Sequence, residues 1–350
     1  MPLSLPPQEA ARYLVAGQAP APLVDLVHTM AFHAAAAGLR LGLFDALAGG
    51  ARGPEELAEE LGAEPYSLRV LLDALAATGY LERDGDRYAN GVAAGWLLSS
   101  TPGSYGTALG FWHALISELW SGLDGSVRTG TPGADFYAWL ATRSEVFRGF
   151  HALQRNLADW LFEEVAEAVP LPKGAARLLD LGGGHARFSI GYCLLHEGLS
   201  ATVVDLPEAL ETGRANAEAA GLAGRVGFAT EPGTGHDVVL LFNVLHGFAP
   251  EPARRLVEEA VAALRPGGLA LVLETAPSPV GAGVVDTAFA RCFELNLLHT
   301  QGGRLYPAHV LDEWLRLAGC GPATVHPLRR MATRVLLAAV KGDTHYETVQ

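Results

Sequence analysis

A histidine and a glutamate 28 residues apart carry the clearest chemistry in this 350-residue sequence. His246 follows the apolar run 237–244, and Glu274 ends the run 269–275. Both therefore fall at the carboxyl ends of neighbouring strands, the edge at which open α/β sheets bind ligands. A carboxylate beside an imidazole there fixes the tautomer and stabilises the imidazolium, which makes an oriented general base. A second reading stays open, in which His246 caps the following helix and Glu274 bonds to backbone.

A ligand site precedes this pair. Leu178-Leu179-Asp180-Leu181-Gly182-Gly183-Gly184 is an apolar strand running into a glycine turn. Glycine lets the backbone bend sharply and approach a ligand. A second strand ends in Val203-Val204-Asp205-Leu206-Pro207, with Asp205 21 residues beyond Gly184. An acid there can accept hydrogen bonds from ribose hydroxyls. Strand, glycine turn, helical pattern and acid together read as a nucleotide-binding α/β sheet.

The elements that position these residues are strands near 178–182, 201–205, 225–229, 237–243 and 269–275, with helical patterns between them. They predict a Rossmann-like, doubly wound parallel sheet. A helix near 307–319 and two strands, 323–328 and 333–340, close it with an antiparallel hairpin. Upstream, residues 1–20 form an arm and 21–48 apolar helices. A helix over 54–61, a helix from Leu68 capped by Ser67, and a hairpin turning at Asp84-Gly85 complete a winged helix. The region 104–170 is helical and rich in aromatics, suited to core and to an apolar pocket. The expected division is 1–100, a mainly α winged-helix dimerisation or capping domain; 101–170, a helical linker; and 171–345, the catalytic domain.

Composition excludes several classes. The net charge is −13, and residues 53–89 hold nine acids against three arginines, which argues against nucleic acid. Cys193, Cys292 and Cys320 are widely spaced, as in a reduced cytoplasmic protein. The N-terminus lacks the charged and apolar pattern of a signal peptide. Charged residues and histidines interrupt the apolar stretch 23–47, so no membrane span is expected.

The chain resembles the class I S-adenosylmethionine-dependent small-molecule O-methyltransferases. The resemblance covers residues 20–340. It rests on Phe44-Asp45-Ala46-Leu47, Leu71-Leu72-Asp73-Ala74-Leu75, Leu81-Glu82-Arg83-Asp84-Gly85, the glycine strand, Asp205-Leu206-Pro207, Val244-Leu245-His246, Leu264-Arg265-Pro266-Gly267-Gly268 and Gly302-Gly303-Arg304. It implies a homodimer that methylates a hydroxyl, or less readily a carbon, of an aromatic or polyketide-type small molecule in secondary metabolism. It implies His246 as base and Glu274 as its orienter. Asp180, Gly182, Gly183, Gly184, Asp205, Leu206, Phe228 and Asn243 are the implied S-adenosylmethionine contacts. Phe150, Phe293 and His299 are the implied substrate contacts.

The sequence departs from the family at four places. Ala186 replaces the last glycine of the turn, and His246-Gly247-Phe248 replaces His-Asp-Trp. The Gly-Asp-Phe-Phe loop over the adenine is missing, leaving Glu231-Pro232-Gly233-Thr234-Gly235. Leu305 stands where plant-type enzymes carry a second catalytic acid. These departures keep alternative chemistry open: cyclisation, rearrangement or hydroxylation of a natural-product intermediate without methyl transfer. Metal-assisted C-methylation through His246 and His299 lacks ligands, so no metal is expected.

Overall fold

Proline opens and glycine closes the early helices. Pro22 starts the helix Pro22–Leu41, which stops where Gly42 turns left-handed at φ 75°. Pro54 starts Pro54–Leu61. Proline has no N–H to lose at a helix start, and glycine takes positive φ freely. The structure, a computed structural model, describes residues 4–101, 103–278 and 281–342.

The next helix begins earlier than expected and spans Pro65–Ala77. Glu64 is its cap, not Ser67. The Glu64 carboxylate accepts from the N–H groups of Tyr66 (3.1 Å) and Ser67 (2.7 Å), where an anion also suits the helix dipole. Strands β1 (Leu81–Asp84) and β2 (Arg87–Asn90) form the wing, and its turn sits at Gly85-Asp86, one residue later than expected. Cations of this helix and of the wing are engaged locally: Arg69 by Asp86 and Glu55, Arg83 by Asp73.

The larger sheet holds β3 (Arg177–Leu181), β4 (Ser200–Val204), β5 (Val226–Ala229), β6 (His236–Phe242), β7 (Leu264–Thr275), β8 (Thr324–Pro327) and β9 (Arg334–Val340). Its order is β5-β4-β3-β6-β7-β9-β8. Strands β3 to β7 pair in parallel, and β9 runs antiparallel to both β7 and β8. The doubly wound sheet closed by an antiparallel hairpin is thus present, although β7 starts at Leu264 rather than near 269.

Alternate residues face opposite cores, as the strand period requires. Leu178, Leu240 and Leu271 pack with Phe188, Ile190 and Leu210. Leu179, Leu241 and Val272 pack with Val257, Leu311 and Leu315. The strands of the parallel core therefore read as continuous apolar runs.

The chain divides into two units: Met1–Glu118 with Arg148–Phe150, and Leu119–Phe147 with the chain from His151 onward. The region 101–170 is accordingly shared between the units and is not a domain of its own. No helix of the described residues is long and apolar enough to cross a membrane.

Candidate active site

The glycine turn owes its shape to close approach. Gly182 is left-handed (φ 74°). A Cβ there would lie 2.7 Å from Val244 Cγ2, and one on Gly183 would lie 2.6 Å from Asp180 Oδ2. Asp205, just past β4, accepts from the N–H groups of Gly184 (2.9 Å) and Leu206 (2.7 Å). The expected ribose acid is thus fastened to the turn by backbone donors, and the Leu206 side chain stands exposed beside it. Ala186, in the place of the last glycine, is also left-handed (φ 60°), at a cost of about 1–2 kcal/mol for an L-residue.

Two ionisable groups of this turn respond to pH in opposite directions. Asp180 is 2% exposed and accepts from Ser189 Oγ (2.7 Å). Burial, aided by the charge of Asp205, pushes its pKa up to about 7. The His185 Nδ1 accepts from Arg187 N (3.1 Å). Burial, with His151, Arg187 and Arg155 nearby, pulls the His185 pKa down to about 4.

A raised carboxyl contributes stability that is lost as pH rises from the ordinary Asp value to about 7. A depressed imidazole contributes stability that is lost as pH falls from the ordinary His value to about 4. The two effects therefore oppose each other between these limits. By urea unfolding across that window, Asp180→Asn should gain stability with rising pH relative to the native protein, and His185→Gln should lose it. Parallel curves for all three proteins would rule this out.

The other expected cofactor contacts are set around the turn. Gly213, in the helix Pro207–Ala219, lets the helix lie against the Gly184 carbonyl and the Phe228 ring, whose Cε1 would be 2.6 Å from an added Cβ. Phe228 is half-buried, and Arg214 lies over its ring at 5.3 Å. Asn243 follows β6 in the left-handed region (φ 58°), and its Oδ1 accepts from Arg334 Nη1 (2.5 Å). Residues 230–235, the shortened connection, hold no helix, and Glu231 is exposed.

The proposed base and its orienter do meet. His246 lies in a short 3₁₀ turn, Leu245–Gly247, after β6, and its Nδ1 lies 2.5 Å from Glu274 Oε2. Glu274 Oε1 accepts from Leu245 N (2.7 Å). One Glu274 oxygen thus meets backbone and the other meets imidazole, while the residue that caps the following helix, Pro250–Ala263, is Ala249 and not His246. The Glu274 side chain is 1% exposed and the His246 side chain 12%. With Nδ1–H given to the carboxylate, Nε2 is left as the acceptor.

Phe293 packs edge-on against His246 at 5.4 Å, and Phe289 stacks on Phe293 at 5.9 Å. Gly303 explains its motif, since a Cβ there would run into the His246 carbonyl oxygen. At Gly247, a Cβ would meet Gln301 Oε1 at 3.0 Å. Leu305 is buried and offers no acid.

The expected substrate contact His299 is placed otherwise. His299 is fully buried; its Nε2–H donates to Leu119 O (2.7 Å) and its Nδ1 accepts from Ser126 Oγ (2.8 Å). Its ring nitrogens hold the protein together and are not free for substrate or metal. Phe150 belongs to the first unit, 5.4 Å from Phe111. Sequence reasoning missed Arg334 and Gly213. The signals were a cation heading an apolar strand and a glycine inside a helical pattern.

The chemistry of these groups fits S-adenosylmethionine. The turn has open backbone at Gly182 and Gly183, and Asp205 presents a carboxylate beside it. The shortened connection after β5 removes a cover and leaves those groups in place.

The O-methyltransferase dimerisation domain matches residues 24–100, and the O-methyltransferase domain matches residues 112–320. The 3-hydroxy-5-methyl-1-naphthoate 3-O-methyltransferase of Streptomyces sahachiroi is 30% identical over 320 residues, 87% of this chain and 90% of that protein. Aclacinomycin 10-hydroxylase RdmB of Streptomyces purpurascens is 30% identical over 323 residues, 85% of this chain and 81% of that protein. The solved structure of mitomycin 7-O-methyltransferase MmcR shares the fold, with a TM-score of 0.82 at 24% identity over 95% of this chain and 99% of that one. The chain therefore belongs to the O-methyltransferase family and is an S-adenosylmethionine-dependent methyltransferase.

Proposed function

We propose that the enzyme methylates a hydroxyl of an aromatic, polyketide-type small molecule, with His246 as the general base. The observation that carries this reading is the 2.5 Å contact between His246 Nδ1 and Glu274 Oε2, which leaves Nε2 to take a proton. S-adenosylmethionine, when bound, supplies a methyl group already activated on a sulfonium. The protein's task is to hold the acceptor in line and to remove its proton.

In this reading the acceptor hydroxyl gives its proton to His246 Nε2. Glu274 stabilises the imidazolium that forms, while its second oxygen stays anchored on Leu245 N–H. A positioned base contributes roughly 10²–10⁴-fold. Phe293 offers the acceptor an aromatic edge next to that nitrogen. The glycine turn and Asp205 would hold the cofactor's methionine and ribose parts.

The naphthoate relative supports a fused aromatic acceptor. The test is incubation with methyl-labelled S-adenosylmethionine and a hydroxynaphthoate, followed by mass spectrometry. A labelled methyl ether supports the proposal. Label on carbon, or an altered product without label, refutes O-methylation.

The non-methylating alternative is not favoured, since the O-methyltransferase domain matches residues 112–320 and the naphthoate relative is a 3-O-methyltransferase.

A homodimer is supported by the dimerisation domain and by the helix Pro22–Leu41, which exposes Leu23, Leu26 and Met30. Leu26→Asp with Met30→Asp should give monomers by sedimentation at micromolar concentration. A double variant that sediments like the native protein would place the interface elsewhere. The free thiols Cys193, Cys292 and Cys320 suit the reducing cytoplasm.

A further inference from the structure

A buried arginine stands behind the turn that delivers His246. Arg334 opens β9, pairs in register with Thr275 of β7, and is 8% exposed. Its Nη1 donates past β7 to Asn243 Oδ1 (2.5 Å). The Asn243 N–H in turn donates to Leu273 O on β7 (2.8 Å). One side-chain bond thus ties the ends of β6 and β9 together across the strand between them.

A buried guanidinium is costly unless its bonds and charge are used. Arg334 Nε has no partner among the described residues, and neither do the buried hydroxyls of Thr275 and Thr333 beside it. Local hydrogen bonding alone therefore gives no reason to keep an arginine here. Burial pulls its pKa down to about 10, while the charge of Glu274 acts the other way. The group remains cationic at neutral pH and lies within electrostatic reach of the base's carboxylate.

The residues after Asn243 show what the bond controls. Val244 lies against Gly182, so closely that a Cβ there would be 2.7 Å from its methyl. Leu245 N and His246 Nδ1 both reach Glu274. The φ of Asn243 therefore aims a segment that touches the glycine turn on one side and the carboxylate on the other. Asparagine tolerates the left-handed region but still favours other conformations.

We propose that Arg334 is a positioning residue: it locks Asn243 left-handed, so that Val244 backs the glycine turn and His246 meets Glu274. This rests on the reading of His246 as the base. Glu274 and Phe293 face His246 directly. Tyr306 is in electrostatic reach of Glu274 and Arg304, and its hydroxyl donates to Phe248 O (2.6 Å).

S-adenosylhomocysteine affinity by calorimetry tests this without any methyl acceptor. In Arg334→Met, affinity should weaken about tenfold. Adding Asn243→Gly, which adopts positive φ unaided, should restore affinity to within about threefold.

Arg334→Met with native affinity overturns the proposal. So does a second-site glycine that rescues nothing, since Arg334 would then be only a buried polar group. Where Arg334→Met does not fold, Arg334→Lys keeps the charge and loses the reach. It should weaken binding, and native affinity in that variant overturns the lock. If binding weakens and is rescued in this way while His246→Ala still transfers methyl, the base assignment fails and the lock stands.

Discussion

His246→Ala is expected to lower turnover by about two orders of magnitude or more, with S-adenosylhomocysteine affinity within about threefold of native. The imidazole is separate from the glycine turn, so its loss removes the proposed proton acceptor and spares the groups of the turn. Glu274→Gln should be comparably severe for a different reason. A glutamine amide would donate to Nδ1 and drive the proton onto Nε2, the wrong tautomer for a base. Its carbonyl oxygen would still accept from Leu245 N–H, so the fold should survive.

Gly303→Ala adds a third variant. Its Cβ has no space beside the His246 carbonyl, so the base must shift although the imidazole is intact. Single-turnover kinetics on an acceptor that the native enzyme methylates would separate these effects from product release. Native turnover in His246→Ala would discard the base assignment. Native turnover in Gly303→Ala would show that the His246 turn moves freely.

Gly213→Ala should remove most cofactor affinity, about thirtyfold or more. Propensity alone predicts the reverse outcome, since alanine in a helix interior is better than glycine by about 1 kcal/mol. Here the methyl would press on the Gly184 carbonyl and on Phe228, one of which is backbone of the cofactor turn. A carbonyl cannot rotate away as a long side chain can, so the turn must deform. Gly198→Ala, where an added Cβ meets nothing within 4 Å, is the control. Calorimetry with S-adenosylhomocysteine decides the matter. Equal affinity for both variants would mean that the turn yields at little cost.

Much of the site was legible because its chemistry is local. Gly182 and Gly183 announce a tight turn, and Asp205 and Glu274 end apolar runs, which places them at one sheet edge before any coordinates are known. The parallel strands and the closing hairpin were legible for the same reason, as uninterrupted apolar runs of the right length. Helix starts were harder, because Ser67 and Glu64 both make credible caps and only Pro65 breaks the tie.

His299 misled because its partners, Ser126 and Leu119, lie 173 and 180 residues away. Nothing near it in the chain foretells that both nitrogens are taken. Arg334 was overlooked because an arginine at the head of a strand ordinarily faces solvent. Its role needs Asn243, 91 residues distant, and the side-by-side placement of β6, β7 and β9.

The strand order carries a consequence for biogenesis. Strand β9 slots between β7 and β8, so it is an interior strand that is also the last described strand to be synthesised. Until Arg334–Val340 emerges from the ribosome, β7 is an open edge of apolar residues, the kind of surface on which nascent chains pair wrongly. Glu274 and the turn before His246 wait on the same event. A chain interrupted shortly before residue 334 would keep the glycine turn, Asp205, His246 and Glu274 in its sequence. It would lack the strand that covers β7, and aggregation would compete with folding.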